Sequence, residues 1–364
     1  MFIELHFIQN FSPSNLNRDD TNNPKDCDFG GVRRARISSQ CIKRAIRRDP
    51  LFEQFSGVPI SERTRLLLKE LHDLLVKAGK DPAEAQLRAE AFAKHYSSKK
   101  EKLDGERTLV MLFLSRTELE EATTQLLQAW DTPEKIKTLA EEFAKNNKNR
   151  PGAPDIALFG RMLADRPETN VDAACQVAHA ISTHRVNMDI DFFTAVDDIQ
   201  PNEETGAGMM GVMGFNSACF YRYACVDWDQ LVKNLNGDLS LARKTVEAFL
   251  RASAHAVPTG KQNSYAAQNP PSFLMAVVRK DGSCWSLANA FEKPVYSANE
   301  KSLIQASVEA LDRYWGALAQ FYPPAPEPCV ACLDGSDHLK NLKKSQVDTF
   351  EQWCESVIHR LPQE

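Results

Sequence analysis

No stretch of apolar residues in this chain approaches the roughly twenty that a bilayer-spanning helix needs. A membrane role is therefore not expected. The first residues, MFIELHFIQNF, lack a basic leader and a small-residue cleavage site, so they do not read as a secretion signal. The nine cysteines have no framework spacing, which points to reduced thiols and a cytoplasmic setting. GxSxG, the P-loop and HExxH are all missing. Cys329-Val-Ala-Cys332, with His338 beyond, is half of a zinc pattern and lacks the ligands to complete it. Gly206-Ala-Gly208-Met-Met-Gly211 matches GxGxxG, but a polar loop precedes it and a strand pattern follows, so it reads as a loop tip. An overall basic excess is lacking too. With 44 Lys and Arg against 49 Asp and Glu, the net charge is -5, and any polyanion-binding surface must be local.

One such local surface is present. Val32 to Arg48 reads VRRARISSQCIKRAIRR, with seven cations and no acid in seventeen residues. The spacing predicts a strand over Val32 to Ile37, an N-cap at Ser38 or Ser39, and a helix after it. At about 100° per residue, Gln40, Lys43, Arg44, Arg47 and Arg48 fall on one arc, and Cys41, Ile42, Ala45 and Ile46 on the other. The pattern fits a solvated basic helix or a polyanion-binding face.

Around it, residues 2 to 8 alternate as a half-buried strand. Residues 12 to 31 are dense in Ser, Asn, Asp, Pro and Gly, and read as a long loop holding Arg18 and Lys25 and ending at Gly30-Gly31. That pair makes a turn or lets backbone approach a ligand. Residues 50 to 170 are charged, rich in Ala and Leu and helical in period, which suggests an insertion. Strand patterns return from Cys175, with a long excursion to a Gly- and Met-rich tip, then a helix over Ser240 to His255 and a strand over Phe273 to Arg279. Without the insertion the order is β, α, β, long hairpin, β, α, β. This is the ferredoxin-like order that also underlies the RNA-recognition motif. The expected class is thus α+β. The expected domains are a palm over 1–49 and 171–325 with a thumb hairpin at 191–215, helical fingers over 50–170, and a tail over 326–364. Carboxylates cluster at Asp19-Asp20, Asp26, Asp28 and Asp197-Asp198, where capping of turns is the commoner use and Mg²⁺ binding the alternative.

The string SPSNLNRDD, followed by K-D-x-x-FGG-x-RR-x-RISSQ-x-x-KRA, resembles the CasC-type backbone subunits of type I-E CRISPR Cascade, in the Cas-seven family of repeat-associated RNA-binding proteins. DIAL-x-GRM at Asp155, AHAI-x-TH at Ala178, DID-x-FTAVDD at Asp189, FYRYA at Phe220, YAA-x-NP at Tyr265 and ANAFEK at Ala288 extend the resemblance in order along the chain. It implies a modified ferredoxin-like palm with helical fingers and a protruding thumb. It also implies a non-catalytic protein, without cofactor or metal, that stacks in further copies along a CRISPR RNA. That RNA pairs with target DNA in antiviral defence. The other implied partners are the large, small, guide-capping and guide-processing Cascade subunits. Carried over by position, Arg18, Lys25, Ser38, Gln40, Lys43, Arg44 and Arg47 would contact the guide. Met162, Phe193 and Thr194 would wedge at a displaced base, whereas from the residues alone Met162 and Phe193 read as core. The alternative is a metal-dependent endoribonuclease using one of Asp19, Asp20, Asp26 or Asp28, as related type III subunits do.

Overall fold

β1 (Phe2–Ser14) is the strand on which the first unit is built. The computed structural model describes residues 1–146, 152–195, 209–298 and 300–363. These divide into two packed units. The first comprises Met1–Asp49, Val177–Cys225 and Phe249–Pro362, and the second is mainly Pro50–Gln176 with Val226–Ala248.

In the first unit, β2 (Asp26–Phe29) and β3 (Val32–Ile37) form a hairpin, and α1 (Ser39–Arg48) follows. The main sheet runs Gln346–Val347, Pro328–Cys332, Phe273–Arg279, β1, Met209–Asp227, Ala180–Ser182, β3, β2. Its centre has the ferredoxin-like arrangement: the last strand of the predicted set beside the first, then the third, then the second. β1 and Phe273–Arg279 are antiparallel, with Phe2 opposite Arg279 and Ile8 opposite Phe273.

β1 is not half-buried as its alternation suggested. Ile3, Leu5, Glu4, His6 and Gln9 are all fully buried. Both faces are covered, because neighbouring residues on a strand point opposite ways. Ile8 joins Tyr221, Met275, Phe291, Val308, Leu311 and Trp315 in one core. Phe7 meets Trp353 of the helix Phe350–His359 at 6.2 Å between rings. The alternating polar residues are held by an internal network. Glu4 accepts from Arg279 Nε at 2.8 Å and from the Trp285 amide, and burial pushes its carboxyl pKa up. His6 Nδ1 lies 2.9 Å from the Tyr221 hydroxyl, and burial, with Arg279 nearby, pushes its pKa down to about 3.

Two further expectations change. The residues after 325 are not an appended tail. Pro328–Cys332 pairs with Phe273–Arg279, and Trp353 donates to the Cys329 carbonyl at 3.1 Å. Cys329 and Cys332 therefore sit on opposite faces of a strand, a spacing that cannot chelate one ion. The loop over 12–31 is also more ordered than its composition implied. β1 reaches Ser14, Arg18 bridges to Pro24, and β2 pairs with β3. Gly30 and Gly31, with φ of 61° and 73°, make the two-residue turn, and a Cβ on Gly30 would collide with the Glu292 carbonyl.

The second unit is mainly helical. Leu67–Lys77, Pro82–Ser97, Arg116–Gln128 and Ile136–Lys145 pack around Leu71, Leu75, Phe92, Tyr96, Leu126 and Phe143. Asp81 caps its helix by accepting from the Glu84 amide at 3.0 Å, with Pro82 at the first helical position. Ser115 and Glu118 form a reciprocal capping box. Val226–Ala248 groups with this unit rather than with the palm.

Candidate nucleic-acid interface

α1 begins where the sequence placed it. Ser38 caps it, accepting from the Cys41 amide at 3.4 Å, while the Ser38 amide donates to Asn17 Oδ1 at 2.8 Å. No acidic residue occupies the first turn. Ile42 and Ile46 face the core, as their spacing predicted. On the opposite arc Gln40 and Arg44 are exposed and Lys43 is half-exposed. Arg47 departs from this arc: it is 6% exposed, although the next residue, Arg48, is open to solvent. Of the carried-over cations on α1, Lys43 and Arg44 thus present the outer face, together with the Gln40 amide.

The strand before it spends its cations internally. Arg34 is fully buried and donates to the carbonyls of Phe29, Ser182, Phe291 and Glu292 at 2.7–3.2 Å. Arg33 pairs with Asp26 at 2.7 Å and Asp28 at 3.5 Å. Arg36 donates through Nε to the Asp26 carbonyl at 3.1 Å and meets His179 Nδ1 at 3.0 Å. His179 was outside the predicted set; its signal was its place in the AHAI string, one residue before the strand that pairs with β3.

Arg18 and Lys25 flank the tight turn before β2, where the Lys25 amide donates to the Asn17 carbonyl at 2.8 Å. Arg18 is exposed and donates to Asn22 Oδ1 at 2.9 Å. Asp19 is the turn's anchor. One carboxylate oxygen accepts from the Thr21 amide, the Thr21 hydroxyl and the Asn23 amide at 2.8–3.0 Å. The Thr21 hydroxyl is the main reason that its pKa lies below the ordinary value. Among the described residues no cluster of three or more His, Cys, Asp or Glu could hold a metal.

The hairpin pairs Asp189–Ala195 with the start of Met209–Asp227, Phe193 facing Gly211 and Thr194 facing Met210. Residues 196–208, which include Asp197, Asp198, Gly206 and Gly208, lie outside the described residues. Gly211 and Gly214 belong to the strand and not to a tip. A Cβ on Gly211 would sit 2.3 Å from the Phe193 ring, and one on Gly214 2.5 Å from Asn23 Oδ1. Asn15 Nδ2 donates to the Gly214 carbonyl at 3.0 Å, tying the hairpin base to the end of β1. Phe193 and Thr194 are exposed, as is Phe192. Phe193 is therefore not core.

Met162, in the second unit, is 84% exposed and is not core either. Its neighbours explain the exposure. Gly160 has φ of 77°, and a Cβ there would press on Val171 and Ala173. Arg161 turns inward to Glu118 at 2.8 Å and to the Thr169 and Phe113 carbonyls, leaving Met162 directed out.

A family model described as CT1975-like protein matches residues 3–357. A chain of a CRISPR RNA-guided surveillance complex, pre-nicking, is similar at 32% identity with a TM-score of 0.86, covering 99% of both chains. A chain of a second CRISPR RNA-guided surveillance complex is similar at 26% identity with a TM-score of 0.76, covering 99% of this chain and 100% of that one. No curated protein matches.

Proposed function

The chain belongs to the CT1975-like protein family, and from that membership we propose that it is the CRISPR RNA-binding backbone subunit of a type I-E Cascade complex. Copies of it stack along one guide RNA, beside the other Cascade subunits, and present the guide for pairing with target DNA. The observation that carries this reading is the outer face of α1, where Gln40, Lys43 and Arg44 stand with no acid in the first turn, on a fold shared with chains of RNA-guided complexes. Guanidinium and ammonium groups grip phosphate without base preference, which suits a protein that leaves sequence reading to base pairing. β1 is buried on both faces, which argues against base stacking on the sheet and for gripping at its rim. Stacking of like copies is a heterologous contact that extends instead of closing.

The role is structural and not catalytic. The Asp19 carboxylate is engaged by its own turn, and Asp26 and Asp28 face Arg33. Purification from cells expressing a CRISPR array tests the proposal. RNA of one discrete length should co-purify and vanish on ribonuclease treatment. The assembled complex, given complementary RNA and Mg²⁺ with an EDTA control, should leave that RNA uncut. Cutting that Asp19→Ala, Asp20→Ala, Asp26→Ala or Asp28→Ala abolishes would replace the scaffold with an endoribonuclease.

A further inference from the structure

We propose that His179, oriented by Arg36, is a further guide-binding residue, a neutral imidazole whose Nε2–H donates to a phosphate oxygen of the RNA backbone. The inference rests on the RNA-binding reading of α1 and adds a group that this reading did not include.

Register places the residue. Arg36 faces Ile181 and Ile37 faces Ala180 in an antiparallel pair. One step further along the same register, His179 comes beside Ser38, the N-cap of α1. Its side chain is exposed. Nδ1 lies 3.0 Å from Arg36 Nη1. A guanidinium can only donate, so Nδ1 must accept, and the ring proton then sits on Nε2. Arg36 is itself fixed by its bond to the Asp26 carbonyl. The ring is thus held in one tautomer with its donor directed away from Arg36.

Charge keeps it in that form. Partial desolvation beside β3, then Arg36 on β3 and Lys25 from the turn before β2, push the His179 pKa below its ordinary value. The nearby Asp26 carboxylate is turned to Arg33. Among the described residues His179 has no carboxylate partner to stabilise an imidazolium. A phosphate arriving at the start of α1 would meet Arg36 and Lys25 as charges and His179 as an uncharged donor.

The distinction is measurable. A cation that meets phosphate releases counterions and steepens the fall of affinity with salt, by about 0.7 in the log–log slope per contact on a single strand. A neutral donor contributes affinity and leaves that slope alone. The test titrates the full chain with fluorescein-labelled single-stranded RNA of mixed sequence across a salt series. His179→Ala should bind about fivefold to tenfold more weakly, the range of one hydrogen bond, with the wild-type slope. His179→Gln, which keeps an N–H donor, should stay within about twofold, and its circular dichroism should match the parent. The doubly substituted Lys43→Ala, Arg44→Ala chain is the control for the interface itself. If that control weakens binding and His179→Ala does not, His179 is not a contact and the proposal falls while the interface stands. If neither weakens binding, the interface reading fails with it. A lower slope in His179→Ala would mean that the residue binds as a cation, which overturns the neutral donor.

Discussion

The interior of the palm sheet and the outer face of α1 both carry polar side chains, but the first set is closed off from solvent and the second is open to it. Glu4, His6 and Arg34 are fully buried, and each is met by groups of the fold: Arg279 and the Trp285 amide, the Tyr221 hydroxyl, and four backbone carbonyls. Gln40 and Arg44 project into solvent, and among the described residues Arg44 has no ion pair. Burial makes an unmet polar group costly, so most of the interior set is met by the chain itself, His6 Nε2 being the exception. Exposure carries no such demand, and a cationic face can wait for a ligand. Net charge and local cation counts do not separate these two uses; full burial among carbonyl partners, as at Arg34, does.

The contrast is sharpest at Arg34. Replacing it with Ala leaves four carbonyls short of a donor and should cost about 3–5 kcal/mol of stability, read by urea unfolding. The salt slope for RNA binding by the folded protein should not change. A changed slope with intact stability would move Arg34 to the binding face and break the division. Next in size is the outer face. Lys43→Ala with Arg44→Ala should weaken RNA binding about tenfold to a hundredfold and lower the salt slope by about 1.4, with the urea midpoint unmoved. An unchanged slope would return α1 to a merely solvated helix.

A pH dependence sharpens the interior side. His6 titrates near 6.5 when unfolded and near 3 when folded. Between those values the unfolded chain holds the extra proton, so the contribution is full above pH 6.5 and is lost as pH falls. The slope should reach about 1.4 kcal/mol per pH unit below pH 6. Glu4, whose folded pKa is raised, acts in the opposite sense above the ordinary carboxylate range. His6→Phe should flatten the dependence on that acidic limb. A slope identical to the parent would mean that His6 stays protonatable inside the sheet.

Much of this organisation was legible in the residues. The strand over Val32 to Ile37, the Ser38 cap and the inward Ile42 and Ile46 follow from local chemistry and a 3.6-residue period, and all three appear. Arg47 is buried where the arc predicts exposure, because period alone assigns a face and carries no information on what packs over it. Glu4 and His6 looked solvent-facing because alternation marks polarity, and polarity equals exposure only when nothing can pair the groups inside. Gly211 and Gly214 looked like loop residues. Their reason lies in the Phe193 ring across the hairpin and in Asn23 of the turn before β2, which no local window contains. The strand at Pro328–Cys332 was hidden by the proline-rich stretch before it.

That last strand has a bearing on how the protein is made. β1 is made before its partner Phe273–Arg279, which is synthesised far later, and the strand Pro328–Cys332 beyond that partner comes later still. Vectorial synthesis therefore exposes an apolar first strand while the helical segment Pro50–Gln176 is completed. Closure of the palm waits until Pro328–Cys332 has been made. A chain truncated before Pro328 would leave Phe273–Arg279 as an open edge, the kind of surface on which nascent chains aggregate.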